Sequence, residues 1–467
     1  MGPTRCAESV RTPLRWVERV ALAVYGVAIS AASPLLRKKL RKRALKEPGY
    51  GEHVSERFGF YKHEGNNPAQ SPERAPNGPL LWVHAVSLGE TRTAGLLLGA
   101  LRARIPGLRI LLTHGTATGR EEGRKYLREG DLQAWFPWDS PRAVRRFLAH
   151  FRPQMGVLME TEVWPHMVQG CANQGVPLWL VNARLNEKSL QGIQKTRWLM
   201  GPAYRDLAGV FAQTSTDADR LQSVGASVLG ITGNIKFDAQ PDAQQVALGL
   251  QMRREYWQRT GKTIVVLASS REGEEAAWLD AIVQNKLQQT VQWMVVPRHP
   301  QRFAAVASLV EAKGLTLARR SAWGVMQAAA LPTHANVWLG DSMGEMALYY
   351  SMADVALLGA SFESLGGQNL IEACACACPV VMGPYTFNFT QAAVDALEHQ
   401  AAIRVNTMPE AVAVAVQLAH DSHRLPMMQE QALAFAQAHR GALDALASHL
   451  TNLWLCRNSG NRDTPAA

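Results

Sequence analysis

The chain has 467 residues, 47% of them hydrophobic, and its 49 Lys and Arg against 39 Asp and Glu give a formal net charge of +10. That length and apolar content exclude a disordered chain and a single small domain, and call for two or three domains with full-sized cores. The basic excess favours an acidic partner, whether nucleic acid, anionic lipid or a phosphorylated substrate.

The first element in chain order is an apolar stretch from Val20 to Leu36, uncharged within and flanked by Arg19 and Arg37. Its length sits at the lower edge of the roughly 17–25 residues that a spanning helix needs. The densest basic cluster, RKKLRKR (37–43), follows directly. Such a run obstructs translocation, which argues against a signal peptide. As a membrane anchor, the segment places the rest of the chain on the cytoplasmic side. As an interfacial helix, it sets the basic run against anionic headgroups. Both forms of attachment stay open, and membrane attachment is favoured over a purely soluble helix.

A polar stretch, about Glu64 to Pro79, reads as a loop. Short apolar runs then alternate with amphipathic helical spans. The expected strands are 80–86, 109–115, 134–138, 155–161, 177–183 and 209–214. After a break near 235–260 come 263–270, 292–298, 337–341, 355–360 and 379–384. This is the rhythm of βαβ units around parallel sheets. The fold class is therefore α/β, with two Rossmann-like halves facing a cleft. The expected division is an anchor and basic flank at 1–50, an N-terminal domain at 51–235 and a linker at 236–262. A C-terminal domain at 263–410 and terminal helices at 411–467 complete it.

Candidate chemistry sits where these strands end. Glu90 follows Ser87-Leu88-Gly89 at a strand-to-helix turn, where a carboxylate can take a proton from a hydroxyl. By itself it is more simply a first-turn helix glutamate favoured by the dipole. Glu160 and Glu162, at strand spacing, share a face and suit a basic group or a substrate as well as they suit capping. Lys236, at the junction of the halves, can neutralise a leaving phosphate or remain solvated. In the second half, Arg298 and His299 end a strand, and an arginine fork suits phosphate. Gly340–Glu345 and Gly366–Glu372 are turns entering helices, suited to anions and ribose hydroxyls. Cys374, Cys376 and Cys378 alternate along a helix, do not converge on one ion, and read as small packing residues.

Taken together and in order, these motifs resemble the 3-deoxy-D-manno-octulosonic acid (Kdo) transferases of lipopolysaccharide synthesis, glycosyltransferases of the GT-B fold. The segments are HAVSLGE (84–90), THGTATGRE (113–121), METEVWP (159–165), VNARLNEKS (181–189), TGNIKFD (232–238), REGEE (271–275), VPRHPQRF (296–303), GDSMGE (340–345), GGQNLIE (366–372) and MGPYTFNF (382–389). The resemblance implies Glu90 as general base, and Glu160 and Lys236 as stabilisers of the transition state. It implies cytidine monophosphate contacts at Pro297, Arg298, Met343, Gly344, Glu345, Asn369, Leu370, Ile371 and Glu372. It further implies inverting transfer of Kdo from CMP-Kdo to a lipid A precursor (lipid IVA), with no metal and no cofactor, at the cytoplasmic side of the inner membrane. The N-terminal helix and anionic inner-membrane lipids would provide the attachment. The chain departs from the usual pattern at Leu370, at Ser270-Arg271 and at Gly359–Phe362, all near the expected nucleotide pocket.

Two other readings compete. One is a different GT-B activity, such as a nucleotide-sugar epimerase or a UDP-sugar transferase. The other is a membrane-bound protein binding nucleic acid or anionic lipid. The basic residues concentrate beside the apolar segment and no nucleic-acid-binding signature occurs, so nucleic acid is not an expected partner.

Overall fold

The computed structural model describes residues 13–61, 79–238, 240–323 and 331–459. The loop expected at 64–79 therefore lies, apart from Pro79, outside the described residues. The chain divides into two compact units, one running to Asp238 and resuming at Gly441, the other covering 239–440.

The first unit holds a seven-stranded sheet: β1 (Leu80–His84), β2 (Arg109–His114), β3 (Leu132–Trp135), β4 (Met155–Met159), β5 (Leu178–Ala183), β6 (Gly209–Ala212) and β7 (Val228–Ile231). All pairs are parallel and the order is 3-2-1-4-5-6-7. Because strand side chains alternate, each strand feeds two cores. Trp82, Leu111, Leu158 and Leu180 pack on one face with Phe147 and Met167. Leu81, Val83, Ile110 and Val157 pack on the other with Leu97, Leu101, Leu446, Leu450 and Trp454. Those last three belong to the helix Ala442–Ser459, which returns from the far end of the chain. Asp238 fixes its start by accepting hydrogen bonds from the backbone N–H groups of Gly441 and Leu443, at 2.5 and 2.7 Å.

The second unit holds β8 (Ile264–Ser270), β9 (Gln292–Pro297), β10 (Leu317–Arg319), β11 (Val337–Leu339), β12 (Val355–Leu358), β13 (Val380–Met382) and β14 (Ala402–Arg404). These are again all parallel, in the order 10-11-9-8-12-13-14. Two doubly wound parallel-sheet units of this kind are the GT-B pattern. The eleven expected strands are present, with ends trimmed by one to three residues at most sites. The three unexpected ones, β7, β10 and β14, are sheet edges. Residues 236–262, expected as a linker, hold a short turn and the helix Ala243–Thr260, which falls in the second unit. Of the terminal helices, Met408–His420 and Arg424–Ala438 fall in the second unit and Ala442–Ser459 in the first.

The N-terminal segment forms two helices, Trp16–Ala31 and Ser33–Ala44, bent by 51° where they meet. No single described helix is long and apolar enough to cross a membrane, although the bent pair passes on length and composition. The first helix has an inner face. Buried Glu18 accepts from Arg15, at 2.9 Å from Nε, and pairs with Arg205 at 3.4 Å. The Tyr25 ring stacks on His166 at 5.4 Å. Gly26 is required beside it, since a Cβ there would meet His166 Nε2 at 2.7 Å. The outer face exposes Trp16 (72%), Val20, Val24 and Val27 (70%).

Candidate functional site

In open parallel sheets, ligands collect at the C-terminal strand ends where the winding reverses. In the first sheet that point lies between β1 and β4, and the chain places Glu90 after β1 and Glu160 after β4. Ser87 caps the helix Leu88–Arg104, its Oγ accepting from the Glu90 N–H at 3.3 Å. Glu90 returns the favour, accepting from Val86 N–H and from Ser87 Oγ, each at 2.9 Å. The capping reading of Glu90 is thus real, and it does not compete with chemistry. The cap fixes the carboxylate at the sheet rim. Burial is the largest influence on it and raises its pKa, with the Glu160 charge adding to the rise. Its pKa therefore lies above that of an ordinary glutamate. A stronger base accepts a hydroxyl proton more readily.

Glu160, expected within a strand running to residue 161, is instead the first residue of a turn after β4, with φ at 59°. A left-handed backbone at a non-glycine residue costs on the order of 1 kcal/mol or more and has to be held by its surroundings. Two cations hold it. Lys236 Nζ lies 2.5 Å from Oε1 and Arg184 Nε lies 3.0 Å from Oε2. The carboxylate itself is 3% exposed as a residue. Lys236 reaches it because the turn Ile235–Asp238 is anchored by Asn182. Asn182 is fully buried, and its Oδ1 accepts from the Ile235 N–H at 3.1 Å. Glu162 lies in the same electrostatic neighbourhood. Its Oε2 accepts from Trp164 Nε1 at 2.9 Å. Burial, followed by the Glu90 and Glu160 charges, pushes its pKa up to about 7. So the structure brings Glu90, Glu160, Glu162 and Lys236 together, and adds Arg184. The position of Arg184, one residue beyond β5 and next to the β4 end, is the signal that could have found it.

The second unit collects the remaining candidates at the ends of β9, β11 and β12. Arg298 follows buried Pro297. Gly344 takes φ 81°, Met343 is exposed, and Glu345 accepts from Arg320 Nη2 at 2.8 Å. Gly366 and Gly367 have φ 90° and 76°, and Asn369 Oδ1 then caps the next helix through the Ile371 N–H at 3.1 Å. The side chains of Leu370 and Ile371 are buried in the core, which leaves only their backbone for a ligand. The REGEE motif has a structural task. Glu274, buried, accepts from Arg271 N–H at 2.9 Å, Ala360 N–H at 2.8 Å and Phe362 N–H at 3.2 Å, tying the β8 loop to the β12 loop. Cys374, Cys376 and Cys378 are buried packing residues. Among the described residues, no group of His, Cys, Asp and Glu is arranged to hold a metal ion.

Residues 52–239 match the family described as 3-deoxy-D-manno-octulosonic-acid transferase (kdotransferase). A 3-deoxy-D-manno-octulosonic acid transferase of Bordetella pertussis is 44% identical over 446 residues, 91% of this chain and 99% of that one. One from Haemophilus influenzae is 28% identical over 431 residues, 90% of this chain and 96% of that one. A UDP-GlcNAc 2-epimerase from Neisseria meningitidis, solved with UDP-GlcNAc, is similar with a TM-score of 0.51 at 14% identity, over 81% of this chain and 100% of that one. The epimerase likeness is one of fold alone, whereas the B. pertussis likeness runs through nearly the whole of both chains. This chain belongs to the 3-deoxy-D-manno-octulosonic acid transferase family and is a glycosyltransferase that transfers Kdo.

Proposed function

We propose that the chain transfers Kdo from CMP-Kdo to a lipid A precursor, lipid IVA, in lipopolysaccharide biosynthesis. The observation that carries this is the Glu90 carboxylate, capped in place and raised in pKa beside the Glu160–Lys236 pair. In the reaction, the acceptor hydroxyl oxygen bonds to the anomeric carbon of Kdo from the face opposite CMP. The bond from that carbon to the phosphate oxygen breaks, and CMP leaves with the electron pair. Glu90 takes the hydroxyl proton. Lys236, held by Glu160, supplies fixed positive charge where negative charge develops. Arg298 and the turns at 343–345 and 369–372 hold CMP, with Leu370 and Ile371 contributing backbone only. The test is a transfer assay on CMP-Kdo and tetraacylated lipid A precursor, read by mass. Product heavier by Kdo, absent when UDP-sugars replace CMP-Kdo, is expected. Product from a UDP-sugar, or none from folded protein with CMP-Kdo, would overturn the reading.

We further propose that the N-terminal helices attach the protein to the cytoplasmic face of the inner membrane by lying in the interface. The inner face of Trp16–Ala31 is occupied by the contacts of Glu18, Tyr25 and Gly26, so a lipid-surrounded span does not suit it. Its outer apolar stripe continues through exposed Leu35 to Lys38, Lys39, Lys42, Arg43 and Lys46. Apolar insertion beside lysines suits anionic headgroups. Replacing Lys38, Lys39 and Lys42 with Gln should weaken sedimentation with phosphatidylglycerol vesicles about 100-fold, at ~1 kcal/mol per lysine. Unchanged sedimentation would mean that another surface makes the attachment.

A further inference from the structure

Arg271 opens the REGEE segment, and its surroundings give it a task. It follows β8 directly, at the point where the second sheet reverses its winding between β8 and β12. Arg298 stands beside it, because β8 and β9 pair as far as Ser270 and Pro297, with a one-residue register shift after Ala268, and the Arg298 N–H donates to Ser270 O at 3.0 Å. Two guanidinium-bearing residues thus leave adjacent parallel strands side by side. Neither guanidinium has a hydrogen bond or an ion pair with any described residue. The nearby arginine that does have carboxylates, Arg302, takes Glu275 at 3.2 Å and Glu272 at 3.6 Å. The nearest acid in sequence that is fully buried, Glu274, spends its oxygens on three backbone N–H groups instead.

Two adjacent positive charges of this kind attract an anion. Like charges on adjacent strands repel, and here no acidic side chain is supplied between them. The backbone of Arg271 is nevertheless pinned, by its N–H bond to buried Glu274. A rigid base under an unengaged side chain is what a preorganised binding group needs. His299 points the same way. Its pKa is lowered by desolvation and then by the charges of Arg271 and Arg298, which places it within the field of both cations.

We propose that Arg271 joins Arg298 to grip an anionic oxygen group of the donor, so that two guanidinium forks rather than one read its charge. The inference rests on the donor reading above. CMP-Kdo carries two such groups, the phosphate and the sugar carboxylate, and guanidinium forks match both. Titration of CMP and of cytidine, together with the KM for CMP-Kdo, separates the two sources in Arg271→Leu. A loss of about ten- to 100-fold in CMP affinity with cytidine unchanged assigns Arg271 to the phosphate, the range expected for hydrogen bonds to a charged group. CMP affinity unchanged with a KM for CMP-Kdo raised by about the same factor assigns it to the carboxylate. Arg271→Lys keeps the charge without the fork, and should lose less than Arg271→Leu by whichever measure moves. It also provides the reading if the leucine variant does not fold. Values within about twofold of wild type for both variants overturn the inference. In that case Arg298→Ala still weakening CMP binding would leave the donor reading intact. Wild-type protein that neither binds CMP nor uses CMP-Kdo would sink both.

Discussion

Glu90→Gln should leave CMP binding unchanged and lower the transfer rate by about 10²- to 10⁴-fold, the usual contribution of a positioned base. The substitution keeps the shape and removes the charge. The amide oxygen can still accept from the Val86 N–H, and the helix cap loses little, so folding is not expected to suffer. What disappears is the ability to hold the acceptor's proton. The neighbourhood of Glu90 sharpens the contrast. Burial and the Glu160 charge raise its pKa while hydrogen bonds and Lys236 lower it, and the net rise makes it a stronger base. The measurement is single-turnover transfer beside CMP titration on the same preparation. A glutamine variant that transfers within about tenfold of wild type would remove Glu90 from the proton's path and leave it as a helix cap.

The second large effect is expected at Lys236. Lys236→Ala deletes one of two cations on a carboxylate that is almost wholly buried. Orphaning a buried ionic partner costs roughly 3–5 kcal/mol, and Arg184 remains, so a loss on the order of 2–3 kcal/mol is expected here. The rate should fall more than stability alone explains, by about 10²- to 10³-fold, because a preorganised positive group is lost. Thermal melting and kcat, measured together, separate the contributions. A lower melting temperature with unchanged kcat would make Lys236 a structural counter-ion. The strained backbone of Glu160 favours the other outcome, since a residue held at φ 59° by two cations is one whose position matters.

Much of this was legible in the sequence, and the exceptions share a cause. Ten of the eleven strands read from apolar runs lie inside a sheet, where parallel strands need continuous hydrophobic residues, and the eleventh, edge strand β3, was read only from its buried end, its start at Leu132 being missed. Strands β7, β10 and β14 have one neighbour each and half-exposed residues, so their runs are short and mixed. The motif positions were visible, but their partners were not. Glu160 meets Lys236 across 76 residues of chain and Glu274 meets Ala360 across 86, distances at which spacing says nothing. Arg184 was passed over inside VNARLNEKS for that reason. The choice between cap and base at Glu90 was a choice only in one dimension. The turn that makes it a cap also makes it face the end of the sheet.

The helix Ala442–Ser459 has a consequence for how the protein comes into being. Domains are commonly folded in the order in which they are synthesised. Here the first unit has its seven strands in hand by Ile231, yet the face carrying Leu97 and Leu101 awaits Leu446, Leu450 and Trp454, about 200 residues later. Until translation reaches them, that apolar face stays uncovered. The core of the first unit is therefore completed only after the whole second unit has been made.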